Sequence, residues 1–153
     1  MARGITHFVF GLFVGTGAHV LWGGDPFLTL VSAALGALLP DIDHPASFIG
    51  RRVKPVAWLA RHRGFFHSLF GAAILTGLYE VILRTSGYVN TPLPAYFFAG
   101  FLSHLILDAS TKEGIQPFYP AKKKIKGQKR TGSLLEWIFL LAMLAVLIWY
   151  WLL

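Results

Sequence analysis

The chain has 153 residues, of which 55% are hydrophobic, and it carries a net charge of +7 with no cysteine. A mean hydropathy of +0.58 is too high for an ordinary soluble domain, so the composition indicates a membrane protein. Without cysteine, the chain forms no disulfide and offers no thiolate to a metal. In a membrane protein the basic excess reports topology, so no nucleic-acid partner is expected.

Five apolar segments predict an all-α integral membrane protein with five transmembrane helices. They are Ile5–Trp22, Pro26–Leu39, Phe65–Leu83, Pro94–Leu107 and Leu134–Leu153. The first, third and fifth approach the roughly 20 residues that span a bilayer. The second and fourth are shorter and end in acidic residues, so they span only if those polar ends lie within protein.

We expect one membrane-embedded domain over the whole chain. Its predicted parts are a core over about 4–120, a basic loop over 112–130 and an anchor helix over 134–153. Of the 14 Lys and Arg residues, all but Arg84 precede the first segment or lie in the second and fourth connections. The positive-inside rule therefore predicts a cytoplasmic N-terminus and an external C-terminus.

This topology brings polar residues of four helices to the cytoplasmic face at similar depth. The candidates are His7, Asp41, Asp43, His44, His62, His67, His104 and Asp108. Pro40 and Pro45 disturb the helix around Asp41 and Asp43, so both carboxylates can aim at one point. The alternative is a helix that simply leaves the bilayer through polar residues.

Small residues support convergence of these candidates, because they let membrane helices approach closely. Each occupies the face of a candidate one turn away, and the pairs are His7 with Gly11, Asp41 with Ala37, His67 with Gly71, and His104 with Gly100. Glycine is common in membrane helices, which is the competing explanation.

Six side chains supply nitrogen and oxygen ligands for a metal. They are His7, Asp41, Asp43, His67, His104 and Asp108. Six ligands are too many for one four-coordinate zinc that keeps an open position. We therefore predict two divalent ions bridged by a carboxylate, with zinc, manganese or iron compatible with the ligand types.

Three motifs in order resemble the inner-membrane metal-dependent hydrolase family of bacteria and archaea. They are Leu39-Pro-Asp-Ile-Asp-His-Pro-Ala-Ser47, His62-Arg-Gly-Phe-Phe-His-Ser68 and Gly100-Phe-Leu-Ser-His-Leu-Ile-Leu-Asp108. The segment Thr111-Lys-Glu-Gly114, followed by Pro117 and Pro120, extends the resemblance, which covers about residues 4 to 120. That family is similar to the zinc-dependent phospholipase C and single-strand nuclease superfamily.

The resemblance implies that the metal ligands are His7, Asp41, His67, His104 and Asp108, and that the reaction is phosphoester cleavage. The last ligand positions of the secreted enzymes have only Glu113 and Glu136 as weak counterparts, so a third metal is not expected.

We assign further roles from side-chain chemistry. Asp43 would bridge metals or orient a metal-activated water, and His62 or His44 would protonate the leaving alkoxide. Ser47, Ser68 and Thr111 would hold ligands in place. The candidates for phosphate binding are Arg51, Arg52, Lys54 and Arg63. Topological anchoring is the alternative for the first three, and the Lys122–Arg130 cluster is expected to bind anionic lipid headgroups.

The sequence thus predicts a hydrolase of the inner membrane, with its site facing the cytoplasm and a lipid or lipid-linked phosphate as substrate. A metal or proton transporter is one alternative, because buried carboxylates and histidines also mark ion paths. A noncatalytic protein whose metal staples the helices is the other. The oligomeric state stays open.

Overall fold

The computed structural model describes residues 4–45, 47, 50–52, 63–129 and 132–152. Within these ranges the protein is all-helical, with five α-helices and no strand. They are α1 (Gly4–Trp22), α2 (Pro26–Leu38), α3 (Leu69–Thr85), α4 (Leu93–Ala109) and α5 (Leu134–Leu152). The predicted helix class and the five helical segments are therefore confirmed.

Three described segments are long and apolar enough to cross a membrane, namely Gly4–Trp22, Pro26–Asp43 and Leu134–Leu152. Helix α4 is apolar but shorter, at 17 residues. The number of spans and their orientation remain predictions.

The two prolines act as predicted at the end of α2. The helix ends at Leu38, and a 3-10 turn over Leu39–Asp43 carries Pro40. The tighter turn changes the angular spacing of its side chains, so Asp41 and Asp43 are both buried in the protein.

The third helix begins later than its apolar segment. Phe65–His67 forms a separate 3-10 turn, and the Ser68 hydroxyl caps α3 by accepting the Gly71 amide at 3.0 Å. This N-cap sets His67 just before the helix rather than inside it.

Close backbone contact joins α1, α2 and α4 in the centre of the bundle. A Cβ atom at Gly100 would overlap the Ala33 carbonyl, and one at Gly11 would overlap the Ala37 side chain. These glycines lie one turn from His104 and His7, so the close contacts and the histidines share helix faces.

Helix α5 packs along α1 through an apolar seam in which Val9 meets Leu140, Met143 and Leu147. The preceding loop folds back on itself, since Ile115 and Ile125 exchange two backbone hydrogen bonds of 2.9 Å. Its Gly127 and Lys129 amides donate to the Thr111 and Ser110 carbonyls at 2.9 and 3.1 Å, so the loop lies against the end of α4 that carries Asp108.

Candidate metal centre

All six predicted metal ligands lie buried in one region, where α1 begins and α2 and α4 end. Asp41 is 5% exposed, and the other five are fully buried. Five of them form two groups of three, in each of which the ligand atoms lie within 4.8 Å of one another. The groups are His7, Asp41 and His104, and His67, His104 and Asp108. Two α-helices, α1 and α4, and two 3-10 turns therefore supply a single cluster.

Hydrogen bonds on the far nitrogens determine how two of the histidines are protonated. The Ala37 carbonyl can only accept, so His104 Nδ1 donates to it at 2.7 Å. His67 Nδ1 donates to Asp43 Oδ2 at 3.2 Å. In the neutral tautomers that these two hydrogen bonds favour, the Nε2 atom of each ring is available to a metal, and these two atoms lie 3.2 Å apart. Two facing lone pairs repel each other unless a cation lies between them.

Two carboxylates complete a four-donor set around that position. His67 Nε2 lies 3.9 Å from Asp41 Oδ1 and 3.6 Å from Asp108 Oδ2. His104 Nε2 lies 3.8 and 4.0 Å from the same two oxygens. Donors bound at about 2.0–2.2 Å in a tetrahedral zinc site lie about 3.3–3.6 Å apart. The four nitrogen–oxygen distances are thus equal to or slightly wider than those of a tetrahedral zinc site.

Unsatisfied buried atoms provide an independent test of whether the residues fit a metal. Among the described residues, no hydrogen-bond partner is found for His7 Nδ1 or Asp41 Oδ1, while His7 Nε2 and the two Asp108 oxygens have only ion-pair distances of 3.2–3.3 Å, to each other and to Arg63 Nη2, as their close polar contacts. Buried polar atoms left in this state are strongly unfavourable. Ion ligation would satisfy these atoms, so the donor set fits a divalent metal.

His7 is a candidate ligand for the predicted second ion. Its ring stacks on His104 with centroids 3.8 Å apart, and its Nε2 lies 3.3 Å from Asp108 Oδ1. His104 offers one nitrogen to both triads, so it can ligate only one ion. A second ion would rely on His7 and on Asp108 as the bridging carboxylate; the predicted pair of ions stays a prediction.

Asp43 lies behind His67 instead of among the closest donors. Its Oδ2 accepts from His67 Nδ1 and from the Arg63 amide at 3.0 Å. A carboxylate in this position fixes the imidazole tautomer and makes Nε2 a better ligand. The geometry therefore supports an orienting role for Asp43.

Arg63 lies just before the 3-10 turn Phe65–His67 and contacts the cluster with its side chain, in a backbone conformation with φ of 62°. Its Nη1 donates to the Gly114 carbonyl at 2.9 Å, and its Nη2 lies 3.2 Å from Asp108 Oδ2. The guanidinium is thus held beside Asp108, a candidate metal ligand. Arg63 is one of the residues predicted from the sequence to bind phosphate.

Of the remaining predicted residues, the structure describes His44, Arg51 and Arg52. His44 is partly buried just after the 3-10 turn, while Arg51 and Arg52 are exposed. His62 and Lys54 fall outside the described residues.

The predicted supporting hydroxyls hold the backbone of the ligand segments. Ser47 donates to the Asp41 carbonyl at 2.6 Å, and Thr111 donates to the Asp108 carbonyl at 2.7 Å. Sequence reasoning missed the carbonyls of Ala37 and Gly114. Every residue carries a carbonyl, so no side-chain signal could have pointed to these two.

The fold and the cluster together define a class, that of helical membrane proteins with a buried histidine–aspartate centre. The chain belongs to the YdjM inner membrane protein family, whose model matches residues 1–153. It is therefore an inner membrane protein.

Relatives occur in distant bacteria. YvsG of Bacillus subtilis (strain 168), an uncharacterised protein, is 37% identical over 144 residues, which cover 90% of this chain and 86% of YvsG. The inner membrane protein YdjM of Escherichia coli (strain K12) is 34% identical over 111 residues. That match covers 70% of this chain and 57% of YdjM, so the chain spans just over half of that relative. No solved structure matches the chain.

Proposed function

We propose that this protein is a membrane-bound metal-dependent hydrolase that cleaves a phosphoester of a lipid or lipid-linked substrate at the cytoplasmic face. The observation that carries the proposal is the pair of Nε2 atoms of His67 and His104, which face each other at 3.2 Å between buried carboxylates. A divalent cation, zinc above all, accounts for this arrangement.

The ligand chemistry favours hydrolysis. When bound, a divalent metal lowers the pKa of a water ligand from about 15.7 to about 7, which supplies a nucleophile at neutral pH. His67, His104, Asp41 and Asp108 would hold the first ion. Asp43 would keep the His67 ring oriented through its hydrogen bond to Nδ1.

Arg63 gives the site its preference for phosphate. Its Nη2 is buried and, among the described residues, has no hydrogen-bond partner, although it lies 3.2 Å from Asp108 Oδ2. A guanidinium held beside the metal position suits a phosphoryl oxygen. Gly114 holds the other arm through its carbonyl, so the fork is fixed before substrate binds.

His44 or His62 would protonate the leaving alkoxide, a role that contributes typically about 10²–10⁴-fold. Only His44 lies in the described part of the chain, partly buried and one residue beyond Asp43.

Exposed lysines on the loop before α5 favour contact with lipid headgroups. Lys122, Lys123 and Lys124 are exposed on the loop that folds under α4. This loop would bind anionic headgroups, which keeps the site at the membrane surface.

A structural metal is the competing function, and the complete burial of the cluster favours it. An ion shared by the ends of α1, α2 and α4 would contribute its binding free energy to folding. Catalysis requires in addition that substrate reach the ion.

Phosphate release from lipid phosphates by the purified, metal-loaded protein separates the two functions. For a hydrolase, Asp43→Asn and His62→Ala should abolish release while most of the metal stays bound. Full metal occupancy without phosphate release from any lipid phosphate would indicate a structural metal. Metal flux in liposomes that Asp43→Asn stops would indicate a transporter instead.

A further inference from the structure

A cavity of about 370 Å³ lies at the same end of the bundle as the metal centre. It is lined by Thr6, Leu107, Ser110, Thr111, Gln128, Lys129, Ser133, Leu135, Glu136 and Phe139. None of the six cluster side chains lines it. Its volume falls in the range of small-ligand sites. The cavity is therefore a separate candidate binding site.

The lining divides into a polar and an apolar part. Leu135 is 76% exposed and Phe139 is 44% exposed on α5, so the apolar part continues into a surface suited to lipid chains. The polar part lies at the ends of α1 and α4 and in the loop. An amphiphile that enters from the bilayer matches both parts.

Three of the four hydroxyls in the described lining, those of Thr6, Ser110 and Thr111, offer acceptors because they already donate their protons. Thr6 Oγ1 donates to Glu136 Oε1 at 2.7 Å, and Ser110 Oγ donates to the Leu107 carbonyl at 2.7 Å. Thr111 Oγ1 donates to the Asp108 carbonyl. A hydroxyl that has given its one proton presents only lone pairs. A ligand must therefore bring N–H or O–H donors to this wall.

Glu136 adds a carboxylate to the same wall, where the Gly132 amide also holds it at 2.6 Å. Among the described lining residues Lys129 is the one cation, and it lies on the loop side with Gln128. The cavity thus pairs an acceptor-rich wall with a cation that suits a phosphate.

We propose that this cavity binds the headgroup of a zwitterionic aminophospholipid. The primary ammonium donates to the wall formed by Thr6 and Ser110, and the phosphate lies toward Lys129. The acyl chains leave past Leu135 and Phe139. This lipid is bound and not cleaved, because the metal-cluster side chains do not line the cavity, so the proposal does not depend on hydrolysis.

Lipid titration of the purified full-length protein in detergent tests the proposal. Three short-chain probes share a phosphate and differ in the polar group, namely dihexanoyl phosphatidylethanolamine, phosphatidylcholine and phosphatidylglycerol. Thermal midpoints against lipid concentration give each apparent affinity. The ethanolamine lipid should bind about tenfold or more tightly than the choline lipid, whose quaternary ammonium has no N–H donor, since one hydrogen bond to a charged group has about this effect.

Variants assign the effect to the cavity. Ser110→Ala should reduce the ethanolamine preference, whereas Lys129→Gln should weaken all three lipids alike, because it removes the phosphate contact. The matched controls are Ser86→Ala, beyond the far end of α3, and Arg84→Gln, in the last turn of α3 outside the cavity. Neither control should change any affinity, and all four variants should retain their metal.

Two results would overturn the proposal. If the choline or glycerol lipid binds as tightly as the ethanolamine lipid, the acceptor wall does not select an ammonium. If Ser110→Ala and Lys129→Gln behave like their controls, the lipids bind elsewhere on the protein. Because these are binding measurements, they stand whether or not phosphate release is observed.

Discussion

At the scale of single residues, the cluster is defined by which nitrogen of each histidine is protonated. Ala37 and Asp43 accept from the Nδ1 atoms of His104 and His67, which favours the neutral tautomers whose inward-pointing Nε2 atoms can bind a metal. The same hydrogen bonds fix the ring orientations before any metal binds. Preorganisation of this kind favours a tight site with defined geometry.

Replacing His104 tests this arrangement through stability. His104→Ala should lower the thermal midpoint of the metal-loaded protein and remove most of its response to a chelator, because metal binding free energy is lost from folding. The measurement is thermal unfolding with and without chelator. His19→Ala, a histidine near the opposite end of α1, should keep the response. An unchanged chelator response in His104→Ala would contradict the assigned ligand.

Arg63 makes a second prediction at this scale. Arg63→Ala should raise KM or lower kcat for a phosphate ester while the metal stays bound, since it removes a clamp and not a ligand. Steady-state kinetics and metal content measure the two effects. Arg84→Ala, whose guanidinium pairs with Glu80 at 2.6 Å on the exposed face of α3, is the control. Equal kinetics in both variants would exclude Arg63 from substrate binding.

At the scale of helices, small residues decide how closely the ligand-bearing helices approach. The backbones of α2 and α4 meet at Ala33 and Gly100, one turn from His104. The donor distances of the cluster therefore depend on this contact.

Two glycines with different surroundings test that dependence. Gly100→Ala should destabilise the protein by about 1–3 kcal/mol, because the added methyl overlaps the Ala33 carbonyl. Gly77→Ala on α3 meets nothing within 4 Å and should be neutral or slightly stabilising. Thermal midpoints and metal content should separate the two. A harmless Gly100→Ala would mean that the helices are not in contact there.

Helix periodicity explains what the sequence could and could not predict. The convergence of His7 and His104 follows from topology and from Gly11 and Gly100 at i,i+4 spacing, because regular helices have predictable faces. The contact of Arg63 with Asp108 does not, since Arg63 lies in a loop with positive φ. Distances across loops depend on tertiary packing, which leaves no periodic pattern.

The role of Asp43 shows the same limit. Its position beside Asp41 predicted participation in the site, but either a bridging or an orienting role suited the sequence. Only the hydrogen bond to His67 favours the orienting role. A 3-10 turn of five residues decided this outcome, and such turns depend on local packing.

At the scale of the whole molecule, the distribution of basic residues predicts five spans with the N-terminus inside and the C-terminus outside. Reporter fusions at the C-terminus and in the loop before α5 measure this topology. The C-terminal reporter should be active only outside the cytoplasm, and the loop reporter only inside. A cytoplasmic C-terminus would contradict both the span count and the placement of the site.

The central claim is that the buried histidines and aspartates bind a divalent metal. Metal analysis of protein purified without added metal tests it most directly. We expect at least one divalent ion per chain in the wild type, and little in His67→Ala or His104→Ala, while His19→Ala retains the wild-type amount. A wild-type protein without stoichiometric metal, even after incubation with zinc, manganese or iron, would contradict the account.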